Sequence, residues 1–87
     1  MSSPIDPLTY VAPEGETLLH IAALRGDART VGLLLEAGAD PNCRGDMGDT
    51  PLHDAFRWGG WEVVKLLLDN GASEDIRNEF GRLPREI

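Results

Sequence analysis

Two stretches of the chain carry the same alternation of apolar and polar positions. In the first, Leu19, Ala22 and Ala23 stand at i, i+3 and i+4, and beyond Gly26 come Val31, Leu34 and Leu35. In the second, Leu52, Ala55 and Phe56 precede Gly59, and Val64, Leu67 and Leu68 follow it. This spacing puts each trio on one face of a helix. Each stretch therefore reads as two short amphipathic helices joined by a reversal at glycine, which accepts a left-handed backbone without steric cost. Thr17 and Thr50 supply N-cap hydroxyls, and Pro51 sits at the first helical position, where a missing N–H costs nothing. The second helix of the first stretch is expected over about residues 28–37, with Gly38 as its terminator. Gly32 inside it costs roughly 1 kcal/mol relative to alanine, so that helix relies on packing more than propensity.

The two stretches are copies of one unit. Without any gap, Gly15, Thr17, Leu19, His20, Ala22, Gly26, Val31 and Gly38 fall 33 residues before Gly48, Thr50, Leu52, His53, Ala55, Gly59, Val64 and Gly71. A third copy opens at Gly81 and runs only to Ile87. Self-similarity at this period marks a stacked array, in which no unit buries its apolar face alone. The expected organisation is an extended N-terminal cap segment over 1–13, shaped by Pro4, Pro7 and Pro13, and a repeat domain over 14–87. Its repeats span about 15–47, 48–80 and a partial 81–87. Ile5, Leu8, Tyr10 and Val11 are placed as a lid across the first repeat. With two full repeats the stability is expected to be modest, and Leu67, Leu68 and Ile87 form an open C-terminal end.

Charge narrows the partner. Lys plus Arg total 8 against 15 Asp plus Glu, a net charge of −7, which disfavours nucleic acid and anionic membranes. A basic or mixed protein partner fits, although surplus acid also serves solubility. The single cysteine, Cys43, excludes an intramolecular disulfide and a paired-cysteine zinc site. No signal-peptide pattern or spanning apolar run is found, so the expectation is a soluble, cytoplasmic protein.

Catalytic chemistry has little support. No phosphate-binding, dinucleotide-binding or nucleophile-elbow glycine motif occurs, and no cofactor is called for. His20 and His53 hold equivalent repeat positions, with no further histidine or cysteine close enough to complete a metal site.

Thr50-Pro51-Leu52-His53 with Ala55, the Gly59 turn, Val63-Val64 with Leu66-Leu67-Leu68, and Gly71-Ala72 resemble the ankyrin repeat, over residues 14–87. Departures are Leu18 for proline, Asp27 and Gly60 at the inter-helix turns, and Leu83 and Arg85 in the third copy. The resemblance implies an all-α solenoid of stacked antiparallel helix pairs, with hairpin-like loops projecting into a concave face. It also implies that His20 and His53 are structural, bonding between repeats, and that the protein is not an enzyme.

Loop tips and first-helix ends then form the candidate partner-binding surface: Glu14, Glu16, Arg25, Asp46, Met47, Asp49, Arg57, Trp58, Glu79, Phe80 and Arg82, with Leu24 beside them. Glu14, Glu16, Asp46, Asp49 and Glu79 make an acidic row. Trp58 is either a binding anchor or a structural partner of Trp61. The leading reading is a non-enzymatic protein–protein interaction module. The alternatives are a small acidic inhibitor or immunity-type protein that blocks a basic enzyme, and a self-assembling repeat protein that forms homo-oligomers through its uncapped C-terminal face.

Overall fold

A computed structural model describes residues 17–87. The cap segment 1–13 with its lid residues, and Glu14 and Glu16, lie outside the described residues. Among the described residues four α-helices form two antiparallel pairs: α1 (Leu18–Arg25) with α2 (Ala28–Glu36), and α3 (Pro51–Asp54) with α4 (Trp61–Asp69). α3 continues into a π-helical turn over Ala55–Gly59, and short 3-10 turns occupy Asp46–Gly48 and Pro84–Glu86. α1 packs against α3 and its π-turn, and α2 against α4, so the pairs stack side by side. This is the expected all-α solenoid.

The helices start where the threonines place them. Thr17 Oγ1 accepts the His20 N–H at 3.3 Å, while His20 Nδ1 accepts the Thr17 N–H at 3.2 Å. Thr50 and His53 repeat this reciprocal box at 3.4 and 3.0 Å. In the third copy Glu86 takes the histidine's part, its Oε1 accepting the Leu83 N–H at 2.7 Å. α2 is capped by Asp27, which accepts from the hydroxyl and the N–H of Thr30 at 2.7 and 3.1 Å. Those two bonds, the hydroxyl's foremost, hold the Asp27 carboxyl below its ordinary range. The cap's contribution is complete above the ordinary carboxylate pKa and is lost as pH falls through the depressed one.

The first inter-helix turn is the glycine reversal read from the sequence, with Gly26 at φ 71°. The second differs. Gly59 lies inside the π-turn, and Gly60, at φ 84°, carries the left-handed backbone instead. The closing bond is nevertheless kept: Gly60 N–H reaches Ala55 O at 3.2 Å, as Asp27 N–H reaches Ala22 O at 3.0 Å. Moving the glycine to the cap position leaves α4 without the side-chain cap that Asp27 gives α2.

Leu19, Ala22, Ala23, Val31 and Leu34 of the first pair meet Leu52, Ala55, Val63, Val64 and Leu67 of the second in one core. Leu67, expected at an open end, is fully buried, because α4 turns it inward against the first pair. Val63 joins it inside, and Leu68 is half-buried. The apolar surface left open on the second pair lies elsewhere, at Trp58 and Trp61.

Gly48 shows how closely successive loops approach. It has φ 72°, and a Cβ there would lie 3.1 Å from both the N and the Cγ of Glu79. Gly81 has nearly the same backbone, φ 74°, but open space around it. Gly48→Ala is therefore expected to cost about 2–3 kcal/mol, the left-handed penalty plus displacement of the neighbouring loop, and Gly81→Ala only about 1 kcal/mol. Equal losses in urea denaturation of the two variants would show that the loop contact contributes nothing.

Candidate functional site

The projecting loops are built from short closed turns. Gly45 N–H bonds to Asp49 O at 2.8 Å, and its equivalent, Asn78 N–H, bonds to Arg82 O at 2.9 Å. The turns are cross-tied between repeats by Glu79 N–H to Met47 O at 2.9 Å. Three residues before Gly45, Asn42 donates to Gly71 O at 3.1 Å and accepts from Ser73 N–H at 2.7 Å. Both histidines complete the ties. His20 Nε2 lies 2.9 Å from Asp49 O, and His53 Nε2 lies 2.9 Å from Arg82 O. Because Nδ1 of each ring accepts a threonine N–H, Nε2 carries the proton and donates across the repeat boundary. The histidines are structural, as the resemblance implied.

These ties hold the tips in place. Met47 is 50% exposed and Phe80, its equivalent one repeat on, is 67% exposed. Met47 adopts φ 59°, ψ 19°, a left-handed conformation that costs a side-chain-bearing residue about 1–2 kcal/mol. Asp46, Glu79 and Arg82 are exposed beside them, Arg25 is exposed at the opposite, C-terminal end of α1, and none of these four side chains joins an ion pair among the described residues. Leu24 is also exposed.

Asp49 does not belong to that open surface. It is 4% exposed, its Oδ2 held by Arg57 Nη1 at 2.9 Å and its Oδ1 by Asn78 Nδ2 at 3.0 Å. The same Arg57 nitrogen lies 3.3 Å from Oδ1 of buried Asp54. The cause is Asn78, which reaches back from the next loop and covers the carboxylate while its own Oδ1 accepts from Phe80 and Arg82 N–H at 2.9 and 3.0 Å. The acidic row thus keeps Asp46 and Glu79 among the described residues, with Arg82 in the same loop as Glu79. The tips are mixed in charge, and Arg57 is bound to its own chain.

Trp58 and Trp61 stand at the turn between α3 and α4. They are 74% and 73% exposed, so neither is buried against the other. Both line an open cleft of about 340 Å³ at the inter-helix turn, with Phe56, Arg57, Gly60 and Val64. This cleft stands at the far end of α3 from the loop tips, and no feature of the hydrophobic pattern signals it. Among the described residues no group of histidine, cysteine and acidic side chains is arranged to hold a metal, and no helix is long and apolar enough to cross a membrane. Cys43, the chain's single cysteine, is half-buried.

Comparison with known proteins bears on this geometry. Residues 3–78 match the family model described as ankyrin repeats in three copies. Over 38 residues, 44% of the chain, the sequence is 50% identical to human ankyrin repeat domain-containing protein 29, and the matched stretch covers 13% of that protein. A family match over most of the length, helix pairs stacked in register and histidines bonding across the boundary converge on one statement: the chain belongs to the ankyrin-repeat family, whose repeats generally serve as protein–protein interaction modules.

Proposed function

We propose that this chain is a non-enzymatic module that binds a partner protein through its loop tips and first-helix ends. The observation that carries the reading is the pair Met47 and Phe80. Two large apolar side chains occupy equivalent tips, both at least half exposed, on loops held by bonds within and between repeats. Exposed apolar groups on a rigid support lose little freedom on binding, so contact area converts efficiently into affinity. The free carboxylates of Asp46 and Glu79, within a chain of net charge −7, steer a basic or mixed partner, while Arg82 and Arg25 fix its register. Occlusion or scaffolding is the mechanism, with the cytoplasm as the setting.

The test compares wild type with Met47→Ser/Phe80→Ser as baits for proteins of the source cell, followed by direct titration of each captured protein. The double variant is expected to unfold at the wild-type temperature or slightly above and to bind about tenfold or more weakly, since two tip anchors are removed. Equal affinity of both baits for every captured protein would remove the tips from the binding surface.

A further inference from the structure

The chain's three asparagines sit in different surroundings. Asn78 is buried, its side-chain oxygen accepting from Phe80 and Arg82 N–H and its nitrogen donating to Asp49. Asn42 engages Gly71 O and Ser73 N–H across the repeat boundary with its two polar atoms. Asn70 is exposed at the C-terminal cap of α4, and its side chain bonds only to a carbonyl of its own helix, Nδ2 donating to Leu66 O at 2.8 Å. It is also the one asparagine followed by glycine. Gly71 is exposed, and a Cβ there would meet nothing within 4 Å. This exposure does not depend on what stacks beyond it: one period earlier, Ala37 and Gly38 are exposed although the second pair packs on the first.

An asparagine–glycine pair carries a chemistry of its own, because glycine has no side chain to shield its backbone nitrogen or restrict its dihedrals. The Gly71 nitrogen attacks Asn70 Cγ and closes a five-membered succinimide. The Cγ–Nδ2 bond breaks, and the Gly71 N–H proton leaves with Nδ2 as ammonia. Water then opens the ring. Cleavage of the N–Cγ bond gives aspartate. Cleavage between that nitrogen and the Asn70 backbone carbonyl carbon gives isoaspartate, whose chain runs through the former side chain and is one backbone atom longer. Water is the sole co-reactant.

The folded geometry holds this reaction back. Asn70 has ψ 20°, which nearly eclipses the Gly71 nitrogen with Asn70's own nitrogen and turns it away from Cβ. The Gly71 N–H also donates to Leu68 O at 3.2 Å. Ring closure therefore needs the last turn of α4 to open, a local event at a helix end that costs less than global unfolding. Asn42 resists the opening, since its Nδ2 holds Gly71 O at 3.1 Å while its Oδ1 takes the Ser73 N–H at 2.7 Å.

We propose that Asn70–Gly71 is a self-modifying site, which deamidates through a succinimide when the last turn of α4 opens, at a rate governed by the Asn42 tie. The isoaspartyl product weakens its own guard. Its longer backbone displaces Gly71 O and Ser73 N–H from the single side chain that holds both. Either product also adds a carboxylate beside Asp69, at the negative end of the helix dipole.

The test incubates the full chain at mildly alkaline pH and follows the amide-to-acid mass change by peptide mapping, with isoaspartate read by methyl transfer from S-adenosylmethionine through a protein isoaspartyl methyltransferase. The chain holds no glutamine, so each such change belongs to an asparagine. Conversion is expected at Asn70 and not at Asn42 or Asn78, about tenfold or more slowly than in the free peptide acetyl-Asp-Asn-Gly-Ala-Ser-amide. Asn70→Ala, which copies Ala37 of the first repeat, should fold and form no isoaspartate. Asn42→Ala should raise the rate about threefold or more, whereas Gly48→Ala, destabilised at a different loop contact, should stay within about twofold of wild type. In the isolated isoaspartyl form the Asn42 side-chain N–H resonances should move to those of a solvent-exposed amide. Three results would overturn the proposal: conversion at the peptide's rate, which would mean that the helix end gives no protection; equal acceleration in Asn42→Ala and Gly48→Ala, which would place the reaction in the globally unfolded chain; and intact Asn70 after the peptide has fully converted.

Discussion

Arg57→Met lowers the unfolding free energy by about 2–3 kcal/mol, an expectation that sets this arginine apart from the chain's other cations. Removing one member of a buried ion pair costs more than the pair contributes, because the remaining charge stays desolvated. Here two carboxylates remain, on side chains only 5% exposed, with Asn78 Nδ2 the neutral donor left to Asp49. The arginine side chain is itself 33% exposed, so water partly replaces it, and the figure is held below that of a fully buried pair. In a domain this small such a loss lowers the melting temperature by roughly 10 °C or more. Asp49→Asn in the Arg57→Met background should recover part of it by removing one uncompensated charge. A thermal scan in which Arg57→Met behaves like Lys65→Met, an exposed cation on α4, would show that the cluster is an ordinary surface contact.

The second large effect is at the repeat boundary. His20→Ala is expected to cost about 3–4 kcal/mol, combining a core cavity with lost partners for the Thr17 N–H and the Asp49 carbonyl. The ring is fully buried and joins the two complete helix pairs, so its removal weakens the interface that makes the array cooperative. His53→Ala removes the equivalent ring, but that ring ties the second pair only to the short segment after Arg82. Its cost should be smaller, about 2–3 kcal/mol. Chemical denaturation of the two variants side by side decides the matter. A loss under about 1 kcal/mol for His20→Ala would mean the boundary is held by apolar packing alone.

The fold was legible because it is written twice. The 33-residue register located both threonine caps, both histidines and the glycines ending α2 and α4, and each of these copies found the same role. The register misled where the copies differ. Gly59 repeats Gly26, but with Gly60 beside it the chain keeps a π-turn and shifts the left-handed residue by one. Asp49 looked like a tip because it precedes a helix cap in a polar loop; its burial depends on Asn78, 29 residues away, and no local pattern announces such a contact. The tip residues Met47 and Phe80 were readable, since apolar side chains in a glycine-flanked turn have few inward places to go. The cleft was not, for tryptophans at 58 and 61 are as compatible with mutual packing as with two exposed walls until the turn geometry is known.

The cross-repeat polar ties have a mechanical side. His20 to Asp49, His53 to Arg82, Glu79 to Met47 and Asn42 to Gly71 and Ser73 all lie along the loop edge, whereas the helix-turn edge is joined by apolar contact and ends in the open cleft. Directional bonds resist extension and shear; apolar contacts slide and splay more readily. The molecule therefore behaves as a fan with its rivet at the loops. Bending stress applied across the array opens the far ends of the helices first, while the distance between neighbouring tips stays fixed.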